Sequence, residues 1–183
     1  MSKLNTLLTL AGFTASLGFA APAAQAQVPD GMYKSKVGEY SIQPVASERL
    51  CGAIRRWNHP EYGEIQLMLL DYADEDYRVL SLTRGVVPQG LEVGRVNLEL
   101  IFLDNGDTQL DRSWGQRLFG YQTREEKAFF VSQFDGEDDV AIGEDLAQSR
   151  ALGLYNGDDL LLAVPLEGLP EAVVQLEGCV ASL

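Results

Sequence analysis

Two cysteines, one histidine and four crowds of carboxylates are the residues of this chain whose chemistry could matter. Cys51 and Cys179 form an even pair with no Cys-x-x-Cys spacing, so in an oxidising compartment they are expected to close a structural disulfide. A redox-active pair or two buried thiols are the alternatives. By chain entropy, a bridge closing a loop of more than 100 residues contributes about 4–5 kcal/mol, less any strain.

His59 is the single histidine and sits in Trp57-Asn-His-Pro-Glu-Tyr62, a loop-like segment before a strand. It reads first as an exposed loop residue, with a general base as the alternative. No Gly-x-Ser-x-Gly elbow, phosphate-binding loop or dinucleotide fingerprint occurs, so no catalytic residue and no cofactor are expected. One histidine and two oxidised cysteines cannot supply a zinc site. The carboxylates crowd at Asp71-Asp74-Glu75-Asp76, Asp104-Asp107, Asp135-Glu137-Asp138-Asp139 and Asp158-Asp159. Calcium needs six to eight oxygens on a tightly curved loop. Counted from Asp135, Val140 takes the place of the required glycine and Leu146 that of the closing glutamate, so no metal ligand is assigned. These turns read as solvated. The alternative is a carboxylate-dependent envelope hydrolase that holds calcium in them, because a catalytic carboxylate pair is defined in space and not in sequence.

The basic and aromatic residues suggest the candidate binding surface. Arg55, Arg56 and Trp57, with His59 and Tyr62, combine the side chains that most often anchor interfaces. Arg112, Trp114, Arg117, Phe119 and Tyr121 form a similar stretch. Against both stands the usual fate of large aromatics, which is burial at the core or its edge.

Residues 1–26 read as a secretory leader. Lys3 supplies the positive start, an uncharged apolar stretch runs from Leu7 to Ala20, and Ala24-Gln25-Ala26 fits the small-x-small cleavage pattern. The expected product is one domain, 27–183, located in the periplasm or secreted. Its longest apolar run, Leu160 to Leu166, is far short of the roughly 20 residues that span a bilayer. The whole chain carries a formal charge of −13. The leader takes one lysine and no acid, leaving 13 Lys/Arg against 27 Asp/Glu and a charge of −14. Such a surface repels nucleic acid and anionic membranes and attracts cationic partners.

The elements that must position these residues are mostly strands. Residues 37–43, 77–83 and 96–102 alternate apolar with polar, as does 64–70 before it becomes wholly apolar; 128–134 is a further strand, and 152–155 and 160–164 flank a hairpin turn. Asp104-Asn-Gly-Asp107 and Asn156-Gly-Asp-Asp159 are hairpin turns. Residues 138–149 are expected to form a helix interrupted by Gly143. A second helix begins near Pro170, with Leu169, Ala172, Val173, Leu176 and Val180 on one stripe and Cys179 beside it. The expected fold is mainly β, an antiparallel sandwich-like domain with its C-terminal helix packed on the sheet and locked through Cys51.

Leu80-Ser-Leu-Thr-Arg-Gly-Val-Val-Pro-Gln-Gly-Leu91 and Leu161-Leu-Ala-Val-Pro-Leu-Glu-Gly-Leu-Pro-Glu-Ala172 resemble the order of segments in the invasion-associated locus B family of exported alphaproteobacterial proteins. Leu166, Gly168 and Ala172 match its L-x-G-x-x-x-A helix start. The resemblance covers about a third of the chain, which lacks the additional cysteines usual in that family. It implies a non-enzymatic β-sandwich at the cell envelope and supplies no catalytic residue. The expected function is that of an exported, non-enzymatic binding protein engaging a cationic protein or envelope component.

Overall fold

Alternation of apolar and polar side chains makes a strand with one buried and one open face, and among the described residues several of the ten strands are built this way. The computed structural model describes residues 35–37, 40–105 and 110–183. The expected leader and positions 106 and 107 of the first hairpin turn lie outside the described residues.

The first strands are β1 (Ser35–Val37), β2 (Tyr40–Val45) and β3 (Leu50–His59). Next come β4 (Gly63–Tyr72), β5 (Tyr77–Arg84), β6 (Gly94–Asn105), β7 (Leu110–Arg124) and β8 (Lys127–Asp135). Helix α1 (Glu137–Gln148) precedes β9 (Ser149–Asn156) and β10 (Asp159–Pro165), and helix α2 (Leu169–Ala181) follows. All neighbours pair antiparallel in one sheet of order β1-β2-β3-β4-β5-β8-β7-β6-β9-β10.

Two expectations change, and for a third segment the core alternative holds. Residues 37–43 do not make a single strand: Val37 pairs antiparallel with Tyr40, so two strands meet there. Trp57, Asn58 and His59 belong to β3 rather than to a loop, and only residues 60–62 turn. The stretch from Arg112 to Tyr121 lies within the 15-residue strand β7, with Phe119 and Tyr121 in the core and Trp114 packed against it.

The inner face carries Ala53, Leu67, Leu69, Leu80, Leu82, Phe130, Leu100 and Leu154, all fully buried. The sheet curls over this core until distant strands meet, which gives the sandwich-like form. Arg84 Nη1 on β5 donates to the Leu161 carbonyl on β10 (2.5 Å), although four strands separate them in the sheet order. Arg55 Nη1 on β3 donates to the Glu167 carbonyl (2.8 Å) just before α2. Helix α2 buries Leu169, Ala172, Val173 and Leu176 against β2 and β3. Cys179 is joined to Cys51 with Cα atoms 6.1 Å apart, within the ordinary range for a disulfide. The expected helix over 138–149 is α1, which packs on α2 and β8.

Candidate functional site

Strand alternation decides which of the expected binding residues meet. Arg55, Trp57 and His59 share one face of β3, and Arg56 points to the other. Arg55 is only 8% exposed, and its guanidinium lies over the Tyr40 and Trp57 rings at 5.6 and 5.4 Å. His59 Nδ1 accepts from the backbone N–H of Glu61 (3.2 Å) and of Tyr62 (3.4 Å), while its ring stacks on Tyr62 at 4.5 Å. The histidine therefore organises the β3–β4 turn through the nitrogen a general base would use. Tyr62 is buried, with the Arg84 guanidinium 4.7 Å from its ring. Arg56 lies on the outer face, where its Nε donates to Gln66 Oε1 (2.5 Å). It borders a groove of about 400 Å³ lined by Glu64, Thr83, Arg124, Lys127 and Phe129.

The second basic-aromatic stretch serves packing in the same way. The Trp114 ring lies against Phe102 and Phe134, and its Nε1–H donates to the buried Asp145 carboxylate (2.6 Å). Arg112 Nη1 donates to the other Asp145 oxygen at 2.9 Å. Arg117 covers Trp114 at 4.7 Å and pairs with Asp138 at 2.6 Å.

Two of the four acidic crowds, 71–76 and 135–139, do come together, and sequence alone could not place them. Arg78 on β5 is the centre. Its Nη2 donates to Asp71 Oδ2 (3.2 Å) and its Nε stands 3.4 Å from Asp139 Oδ1, so one buried guanidinium joins the end of β4 to the start of α1. Gly143 leaves the room it needs: a Cβ there would lie 2.8 Å from Arg78 Nη1. Burial pushes the Asp139 carboxyl above its ordinary range despite Arg78, and Asp71, Asp76 and Glu177 add to the rise. Asp138 moves the other way, held down by its hydrogen bond to Arg117. Arg49 bonds Asp74 through two guanidinium nitrogens and donates to the Leu183 carbonyl (2.9 Å). Glu48 lies close enough to Tyr72 to help burial raise the tyrosine pKa.

The end of the molecule built from Glu48, residues 74–76, Asp135, the start of α1 and Glu177 thus gathers many carboxylates around three arginines. Arg78 fills the space between the two acidic turns, and among the described residues no group of three or more His, Cys, Asp or Glu is arranged to share a metal ion. No described helix is long and apolar enough to cross a membrane. Comparison with protein-family models, curated proteins and solved structures returned no match.

Proposed function

We propose that this chain is an exported, non-enzymatic binding protein whose acidic end docks a cationic protein or envelope component. The observation that carries the reading is the convergence of the β4–β5 turn, the start of α1 and α2 on one end of the fold, where acids outnumber Arg49, Arg78 and Arg117. Concentrated charge of one sign raises the encounter rate with the opposite sign and suppresses like-charged partners. The leader pattern and the Cys51–Cys179 bridge fit a protein working outside the cytoplasm. The resemblance to the invasion-associated locus B family points toward the same envelope role.

Affinity capture from an envelope extract tests it, using the disulfide-bonded protein beside the double variant Glu75→Gln/Asp76→Asn at low and moderate salt. A basic protein should be retained at low salt, weakened at moderate salt, and retained less by the variant. Capture indifferent to both salt and variant, or an empty capture, overturns the proposal.

A further inference from the structure

The outer face of the sheet is the feature that the acidic end leaves unexplained. Both helices pack against the inner face: α2 is bridged to the inward Cys51, and α1 is joined to the inward Arg78 and to Trp114. Among the described residues no element covers the outer side. There the registers line up three successive rows across neighbouring strands. At the acidic end, the rings of Tyr72 on β4 and Tyr77 on β5 lie against each other, tilted, with centroids 4.8 Å apart, and Tyr77 pairs with Asp135. The next row holds Leu70 opposite Val79, with Leu70 lying over Gly52. The third runs Ile54, Met68, Ser81, Val131 and Gly120. Leu118 lies two residues before Gly120 on β7. Val131 is 41% exposed and Leu118 51%.

We propose that this face, from the Tyr72–Tyr77 pair to Val131 and Leu118, is the contact surface for a cationic amphipathic polypeptide. Such a partner carries lysine or arginine beside a strip of leucine-like side chains. The proposal rests on the acidic-end reading and adds to it the part of the partner that charge does not specify.

Charge sets the orientation. At the far end of the face the cations are already partnered: Lys127 Nζ donates to Glu64 Oε1 (2.5 Å), Arg56 bonds Gln66, and Arg124 stands 3.7 Å from Glu125. Toward the tyrosines, Glu75, Asp76 and Asp135 join Glu48 with few cations to match. A basic flank therefore has one end to meet, and its apolar strip falls on Val79, Val131 and Leu118. Tyrosine, partly apolar and partly polar, is the residue type suited to that boundary. A second copy of the chain is disfavoured because each carries a charge of −13, and an anionic lipid surface for the same reason.

Two short synthetic peptides of equal length and equal lysine content provide the probe, one alternating leucine with lysine so as to be amphipathic, the other with serine in place of leucine. Binding to the disulfide-bonded protein is read by fluorescence anisotropy. The Leu/Lys peptide should bind at least about tenfold more tightly, since burial of even one leucine side chain can supply that factor. The double variant Leu118→Ser/Val131→Ser, checked for unchanged circular dichroism, should lose that preference and keep the Ser/Lys affinity. Equal affinities for the two peptides, or a preference that survives in the variant, overturn the face. Should the Leu/Lys peptide bind while the Ser/Lys peptide fails at low salt, the acidic-end reading falls and takes the cationic part of this proposal with it. Failure of both peptides overturns both. A spin-labelled Leu/Lys peptide gives a reading that needs no variant. It should broaden the methyl signals of Val79, Leu118 and Val131 more strongly than those of the interior Leu82 and Leu100, and the reverse pattern overturns the face.

Discussion

Arg78 does the work that a bound cation would do at the acidic end. Placing a guanidinium between Asp71 and Asp139 lets the end of β4 and the start of α1 approach, yet burial still raises the Asp139 carboxyl above its ordinary range. The sign of its contribution follows. A carboxyl raised above its unfolded value adds stability when protonated, below the unfolded value, and loses that contribution as pH rises through the folded one. Asp139→Asn, neutral at every pH, should therefore raise the urea midpoint at neutral pH. The gain should shrink on acidification as the native Asp139 takes up its proton. Denaturation curves at both pH values check this, and a lower midpoint at neutral pH would mean that attraction to Arg78 outweighs burial. Asp138 and Glu64 run in the opposite sense. Arg117 and Lys127 hold their carboxyls low, so the stability they contribute is lost as pH falls through those lowered values.

The two helices each contain a glycine, and the structure gives them opposite meanings. Alanine is the better helix former by about 1 kcal/mol. At Gly178 in α2 a Cβ meets nothing within 4 Å, so Gly178→Ala should stabilise by up to that amount. At Gly143 in α1 the new Cβ displaces a guanidinium pinned by two carboxylates, and Gly143→Ala should lower stability by about 1–2 kcal/mol. Thermal melts of the two variants decide it; equal gains would show that Arg78 moves aside freely. The helices and most strands were legible because their periodicity is intact, and the disulfide pairing because the chain has only two cysteines. Apart from the short β1, two strands were not. In β3 an inward arginine, Arg55, replaces the expected apolar residue, and in β7 arginines stand at 112 and 117 among the aromatics. Both are satisfied locally, Arg55 by a carbonyl and two rings, Arg117 by Asp138 and Trp114, which lets strands hide behind a charged pattern. The convergence of the acidic turns was illegible for another reason: Asp71 and Asp139 are brought together by the β5–β8 pairing and by the docking of α1, and neither leaves a mark in local sequence.

For the molecule as a whole, closure depends on ties between early strands and the last 23 residues. Arg84 holds Leu161, Arg55 holds Glu167, Cys51 holds Cys179 and Arg49 reaches Leu183. The covalent tie spans a sequence separation of 128, and chain entropy assigns it about 4–5 kcal/mol. Replacing both cysteines by alanine should lower the unfolding free energy by about that amount, while the arginine ties preserve the far-ultraviolet spectrum of the folded state. A melting temperature unchanged from the oxidised protein would show that those ties suffice. The order of the ties also has a consequence in time. Synthesis delivers β3, β4 and β5 long before the segment that fastens them, and contacts between such distant positions form slowly. Until its final helix is released, the growing chain holds an unfinished sheet, and the step that makes the fold permanent waits for residue 179 to reach an oxidant.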